Sequence, residues 1–321
     1  MVSQIAGFRV GHWTDERAGT GCTVIIPPPG TVAGAEVRGG GPASRELELL
    51  YPTTSVSTIT ALCFAGGSAF GLETAGGVMR WCAERGMGHD TGAARVPVVP
   101  AACIYDLGFT GNARHPGADE GYAACMAAVE GPHECGSVGA GTGATLGKLR
   151  AADGWCKGGV GAAAVRTHDG VSFAALAVVN AWGDVIDADG SVIAGAVGED
   201  GRFVSAAARV LTHPPDHPRL RAPANTTLVC IATDGRLTKT EAAQVARMAH
   251  AGMARAVSPV HTPFDGDLAV CLAAGRRPVS PFVAGVAAAE VAAGAIRDAA
   301  GRVRSLRGVP TGAERRASAG Y

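Results

Sequence analysis

Charge of one sign is missing from this chain. Its 321 residues hold 28 basic and 28 acidic side chains, and only 17% of the residues are charged. Such a balance argues against an electrostatic footprint for nucleic acid or for an anionic membrane surface. No run of like charge marks a disordered interaction tail. Only GAERRASAG, residues 312–320, polar and small, reads as a frayed end. Long apolar runs are missing too, since Gly, Glu, Arg or Asp breaks each one short of a membrane span. The first stretch, MVSQIAGFRVGHWTDERAG, lacks the basic segment and apolar core of a secretory signal. Paired cysteines are missing as well: the nine are odd in number, scattered, and never spaced CxxC. They suit a reduced compartment, where thiols serve as small core residues. These absences predict a cytoplasmic protein with no nucleic-acid and no membrane partner. There is no internal repeat and no long low-complexity linker.

What is present is apolar residue and glycine. A hydrophobic content of 47% is ample for a large buried core. The 47 glycines lie inside apolar segments with no collagen period, which predicts tight turns and close backbone approaches. Runs rich in Val, Ile, Thr or Leu predict strands at 21–27, 56–66, 171–187, 226–234 and 267–275, the third as a hairpin or a long bent strand. Helical spacing predicts helices over 68–88, 119–131, 237–259 and 281–301. Thr238 and Glu241 form a capping box for the third, and the fourth is apolar nearly all round, as a sandwiched helix would be. Strands and helices mix without a regular βαβ rhythm, so the fold class is α+β with stacked layers. The one break is 211–225, with four prolines in residues 213–225.

Several motifs invite a functional reading and fail it. Gly139-x-Gly141-x-x-Ala144 fits a loose dinucleotide pattern, but 149–159 turns again where a helix is needed. A phosphate loop would need glycine at 142, where Thr142 stands, and Ser or Thr at 149, where Leu149 stands. The plain alternative is a glycine-rich turn that allows close backbone approach. Ser68 in AGGSAFG reads as a helix N-cap, since Phe70 replaces the glycine of a nucleophile elbow. His213 and His217 sit in HPPDHP, which cannot be a helix, and the nine scattered histidines predict no metal site.

The stretch APANTTLVCIATD, 222–234, has three readings. Asn225-Thr226-Thr227 could be a turn into a strand, or a glycosylation acceptor, which matters only in a secreted protein. It could also be a cut site that frees a catalytic N-terminus. A threonine hydroxyl needs a base, and an α-amine with a pKa of roughly 7.7–8.0 on the same residue can supply it. The hydroxyl could make the cut itself by attacking the Asn225 carbonyl.

Distant blocks bear on the third reading. VGHWTD (10–15), GTGCTVI (19–25), GGGPASRELELL (39–50), GGSAFGLETAGGVMRWCAERGMG (66–88), GAGTGATLGKL (139–149), KGGVG (157–161) and NTTLVCIATDGRLTK (225–239) stand in order along the chain. In them the sequence resembles the self-processing N-terminal-nucleophile hydrolases that include L-aminopeptidase/D-esterases, β-aminopeptidases and nylon-oligomer hydrolases. The resemblance implies a single hydrolase domain, 1–321, with a four-layer αββα sandwich, cut into 1–225 and 226–321. It implies Thr226 as the nucleophile, freed by cleavage after Asn225. Asp265 and Asp267 become the acidic pair that orients Thr226, holds its ammonium and tunes its pKa. Asn180 becomes the amide that helps receive the oxyanion. Tyr105 and Lys148 become further site residues, with Lys157 competing for the lysine's role. Read without the resemblance, Asp265-Gly266-Asp267 is equally a turn before a strand, Asn180 a strand-end turn, Tyr105 a core tyrosine and Lys148 a solvated lysine. The small-residue aminopeptidase branch has Gly-Ser at the junction and Ser-x-Glu downstream, whereas Asn-Thr and Asp-x-Asp here are closer to the nylon-oligomer branch.

The expected protein is a peptide, amide or ester hydrolase acting on N-terminal residues of small substrates, including aminohexanoate-type oligomers. It needs no cofactor or metal and forms a homotetramer of processed units. Two alternatives are an acyltransferase with the same nucleophile and a non-catalytic binding or scaffold protein.

Overall fold

A computed structural model describes residues 1–111, 114–150, 154–212 and 225–320. Ten strands build two five-stranded sheets. They are β1 (Arg9–Asp15), β2 (Thr20–Ile26), β3 (Val32–Val37), β4 (Ala43–Arg45), β5 (Leu62–Ala65), β6 (Ala101–Cys103), β7 (Gly159–Arg166), β8 (Ser172–Asn180), β9 (Thr226–Arg236) and β10 (Leu268–Pro278). The first sheet runs β1-β2-β5-β6-β4 and the second β7-β8-β9-β10-β3. Each has one parallel pair, β5–β6 and β9–β10, and all other neighbours are antiparallel. The longer helices are α1 (Thr74–Ala83), α2 (Ala118–Met126), α3 (Lys239–Ala254), α4 (Pro281–Arg302) and α5 (Gly312–Ala319). The two parallel pairs are the two places where a helix, α1 or α3, crosses between strands, as parallel pairing requires.

Side-chain alternation sets the layers. Along β8, Phe173, Ala175, Ala177 and Val179 face α3 and α4, while Ala174, Leu176 and Val178 face the other sheet. β9 and β10 repeat the pattern with Val229 and Ile231 against Leu228 and Cys230, and Ala269 and Cys271 against Leu268 and Val270. On β2, Cys22, Val24 and Ile26 face α1 and α2, and Ile25 faces inward. Three apolar interfaces therefore separate four layers, α-β-β-α, and strands covered on both faces need near-continuous apolar runs. The expected α+β sandwich is the observed one.

Small residues let the layers close. A Cβ on Gly161 of β7 would lie 2.2 Å from the Ala295 carbonyl oxygen of α4, which explains why that helix is rich in alanine. Its apolar circumference is buried against α3 on one side and β7 and β8 on the other. The Thr238–Glu241 capping box of α3 forms as the sequence predicts. No helix among the described residues is long and apolar enough to cross a membrane.

The structure corrects four local expectations. Residues 312–320 do not fray: α5 runs through them, because Thr311 and Glu314 form a second capping box and Gly320 ends the helix in the left-handed region. Ser68 does not cap a helix. It occupies the first residue of a 3₁₀ turn, Ser68–Glu73, at φ +55°, and its side chain makes no capping bond. The run 171–187 is neither a hairpin nor one strand. β8 ends at Asn180, and Asp184–Ile186 joins a separate small sheet with Val192–Ala194 and Val257–Ser258. Of the run 56–66, only Leu62–Ala65 is strand. Most of the proline-rich stretch 211–225 lies outside the described residues, as do His213 and His217.

Candidate active site

Strand direction brings three distant segments to one edge of the second sheet. β9 and β10 are parallel, so the residues that open them, Thr226 and the Asp265–Asp267 loop, lie side by side. β8 runs opposite to β9, so its last residue arrives at the same edge, and Asn180 is the register partner of Thr226. Asn225 makes an isolated parallel bridge with Asp265. Asn180, Asn225, Thr226, Asp265, Asp267 and Lys148 are all buried.

The Asn225 carbonyl is the focus of the junction. The Thr226 hydroxyl donates to it, and so does the Gly266 N–H at 2.8 Å. The Asn225 side chain donates to the Phe264 carbonyl at 3.3 Å, while its buried Oδ1 has no hydrogen-bond partner among the described residues. Asp267 accepts the Thr227 N–H on Oδ1 at 2.7 Å and so fixes the backbone just past the junction. Asp265 accepts the Trp182 N–H at 3.3 Å and the Thr262 N–H at 3.1 Å, together with the Thr262 hydroxyl. Gly266 has to be glycine where the loop turns past Thr226. A Cβ there would lie 2.8 Å from the Gly41 carbonyl oxygen and 2.9 Å from Thr226 Oγ1.

Asn180 is held from both ends of its amide. Its Oδ1 accepts from Lys148 Nζ at 2.8 Å and from the Thr145 N–H at 3.0 Å, and its Nδ2 donates to the Tyr105 carbonyl at 3.1 Å. Lys148 Nζ also reaches the Asn180 carbonyl at 3.1 Å. Tyr105 thus joins the network through its backbone, and the residue is 36% exposed. Lys157 is placed differently. Its Nζ donates to the carbonyls of Gly141, Ala144 and Gly158 at 3.0, 2.9 and 2.6 Å, which ties down the glycine-rich turn. That turn is a packing device: a Cβ on Gly141 would lie 2.5 Å from the Val160 nitrogen, and a short strand, Thr145–Leu146, follows in place of a phosphate-facing helix.

Burial sets the electrostatics. It pushes Lys148 down to about 7, against the pull of Asp265 and then Asp106. The same burial lowers Lys157 to about 7. Asp265 is pushed up to about 6, first by burial and then by the negative charge of Asp267. The site therefore holds an amine and a carboxyl, both shifted by burial toward their neutral forms and each able to move a proton. Among the described residues no group of three or more His, Cys, Asp or Glu is placed to hold a metal ion.

The structure brings Thr226, Asn225, Asn180, Asp265, Asp267 and Lys148 together with the Tyr105 carbonyl, and leaves Lys157 apart. It adds residues that the sequence reading passed over: Gly266, Thr145, Thr262 and His261. The first two act through backbone N–H groups, which no side chain announces, and Thr262 and His261 only gain meaning once the loop is folded around Asp265 and Asp267.

Known proteins resemble this chain in sequence and in overall fold. The model of peptidase family S58 matches residues 1–304. An uncharacterized aminopeptidase of Mycobacterium tuberculosis is 42% identical over 303 residues, covering 90% of this chain and 85% of that protein. A 6-aminohexanoate-oligomer endohydrolase of Paenarthrobacter ureafaciens is 32% identical over 273 residues, covering 81% and 71%. In fold, the L-aminopeptidase D-Ala-esterase/amidase of Ochrobactrum anthropi, described as a variant of the Ntn (N-terminal nucleophile) hydrolase fold, superposes with a TM-score of 0.71. It is 16% identical, with 96% of this chain and 88% of that one covered. A β-aminopeptidase of Burkholderia sp. gives 0.69 at 21% identity, covering 100% and 94%.

Proposed function

The chain belongs to peptidase family S58 and is a hydrolase of the peptidase and amidase kind, and we propose that it is made as a precursor that cuts itself between Asn225 and Thr226. The observation that carries this reading is the Asn225 carbonyl, which receives the Thr226 hydroxyl and the Gly266 N–H together. Thr226 Oγ1 attacks the Asn225 carbonyl carbon. The charge that develops on the carbonyl oxygen meets the Gly266 N–H, a donor already in place. The C–N bond breaks, the Thr226 nitrogen takes up a proton, and Asn225 is held as an ester on Thr226. Water hydrolyses that ester and releases the Asn225 carboxylate, leaving residues 1–225 and 226–321 as two pieces of one domain.

In the cut enzyme the Thr226 α-amine takes the hydroxyl proton as Oγ1 attacks a substrate amide or ester. Asn180, held between Lys148, Thr145 and Tyr105, presents its amide to the new oxyanion. Asp265 and Asp267 hold the ammonium form of Thr226 between steps. The amine returns the proton to the leaving group, and water hydrolyses the acyl-enzyme. The substrates are N-terminal residues of small peptides, amides or esters. The relative named as a 6-aminohexanoate-oligomer endohydrolase, together with Asn-Thr and Asp-x-Asp at the site, supports aminohexanoate-type oligomers among them. The processed units assemble as a homotetramer in the cytoplasm. The nine cysteines are unpaired, which supports a reducing setting.

Intact-mass measurement and N-terminal sequencing of the purified protein test this reading. Two pieces with Thr226 as a new N-terminus are expected, and Thr226→Ala is expected to stay whole and to lose all turnover. A wild-type chain that stays whole while hydrolysing amides would overturn it.

A further inference from the structure

Beyond the Asp265–Asp267 loop lies a chain of two histidines that the chemistry above does not use. His261 donates its backbone N–H to Asp267 Oδ2 at 3.0 Å and sets its Nδ1 2.9 Å from the same oxygen. Its Nε2 lies 3.3 Å from His250 Nδ1, and His250 Nε2 lies 3.0 Å from the Glu36 carbonyl oxygen. The rings meet edge to face, 4.7 Å between centroids. Proton positions follow from the partners. A carbonyl only accepts, so His250 Nε2 carries a hydrogen. His250 is buried, its pKa pushed down to about 4 chiefly by that burial, so the ring is neutral and its Nδ1 is bare. His261 Nε2 must then be the donor to it. A neutral His261 would turn a bare Nδ1 at Asp267, leaving two lone pairs face to face unless Asp267 carried the proton. Asp267 already accepts two backbone N–H groups, from Thr227 and His261, and such donors favour the carboxylate.

We propose that His261 is an imidazolium that positions Asp267 and keeps it ionised, so that of the two carboxyls at the junction Asp265 is the one that exchanges a proton. This deepens the proposed function and rests on it. The backbone at His261 fits the role. Its φ of +56° lies in the left-handed region, which non-glycine residues seldom adopt, and it aims both the N–H and Nδ1 of one residue at one oxygen. The other charged groups around the pair are Asp265 in the same loop, Glu36 on β3 and Arg38 just past it, the last two joined to each other at 3.3 Å. Among the described residues Asp265 makes no ion pair with His261, which faces Asp267 instead. The oxygens of Asp265 accept from Trp182 and Thr262, which are neutral donors.

The first test is side-chain ¹⁵N–¹H NMR of the full-length Thr226→Ala chain, with His261→Asn in the same background to assign the ring. Two protonated nitrogens on His261 near pH 7.5, while His250 shows one, are expected. A neutral His261 ring at that pH overturns the proposal, whether or not the enzyme cuts itself. The second test is the pH profile of kcat/KM for His261→Asn in the otherwise native enzyme. Asparagine tolerates the left-handed region and still donates a hydrogen bond, but it carries no charge. The acid limb is expected to move up by about one pH unit, with a loss of about tenfold below it and little change above. A loss equal at every pH, with the limb unmoved, would show a merely structural residue. No cutting and no turnover in the wild-type enzyme would sink the functional reading alone, leaving the NMR result to decide the state of His261.

Discussion

Two buried lysines give the residue scale its sharpest test. Lys148 and Lys157 each sit near 7 in the fold against an ordinary value of 10.5, because burial disfavours the charged amine. Between those values the unfolded chain binds the proton and the folded chain does not, so stability rises with pH across that window and is at its lowest below about 7. Each lysine contributes a slope of up to about 1.4 kcal/mol per pH unit. The melting temperature of the Thr226→Ala chain is therefore expected to climb from pH 7 to pH 9. Lys148→Met and Lys157→Met should each lower the melting temperature and flatten the climb. A flat profile in the parent would show that neither amine is desolvated as drawn. The same two residues show what sequence can carry. Nothing in their spacing tells Lys148 from Lys157. Only the fold shows that one reaches Asn180 and the other three carbonyls of a turn. Thr226, Asn180, Asp265 and Asp267 were legible by resemblance, whereas Gly266, whose contribution is a backbone N–H, and His261, whose partner lies six residues on, were not.

Adjacent glycines in α1 show how an element is matched to its neighbour. A Cβ on Gly77 would lie 1.6 Å from the Ala118 carbonyl oxygen of α2, while a Cβ on Gly76 meets nothing within 4 Å. Gly77→Ala must push α2 away or unwind a turn, and should destabilise the fold by about 3 kcal/mol or more. Gly76→Ala removes a helix penalty of about 1 kcal/mol and should raise the melting temperature by about 2 °C. Equal effects in a denaturant titration of the two variants would mean that α1 and α2 do not pack as described. Periodicity sees neither glycine's role, because it reads one element at a time. For the same reason the helices and most of the strand cores were legible, but their ends were not. The run 171–187 is apolar throughout, yet it is divided at Asn180, where the chain leaves one sheet to reach another. Residues 312–320 look like a frayed tail by composition, yet the Thr311–Glu314 box starts a helix there.

For the whole molecule, the question is what would hold the two pieces together if the chain is cut after Asn225 as proposed. The second sheet answers it. Its order is β7-β8-β9-β10-β3, so the two strands that follow Thr226 lie between strands that precede it. β9 pairs with β8 from Thr226–Asn180 to Thr233–Phe173, and β10 pairs with β3 from Leu268–Val37 to Ala273–Val32. Above the sheet, α4 from the second piece packs on β7 and β8 of the first, and α3 packs on β3, where a Cβ on Gly34 would lie 2.2 Å from the Ala243 nitrogen. The apolar interface between the sheets also mixes both pieces, with Leu228, Cys230, Leu268 and Val270 set among Ile25, Phe64 and Leu176. Separation would open both strand ladders and both of these interfaces at once, which the break of one peptide bond cannot repay. The cut enzyme is therefore expected to elute as one species on size exclusion, with 1–225 and 226–321 in equal amounts, and to unfold in one thermal transition. The pieces should part only in denaturant, and 1–225 made alone should not fold, because its second sheet would lack both central strands. Pieces that separate in native buffer would mean that the strands of the second sheet are not interleaved in this order.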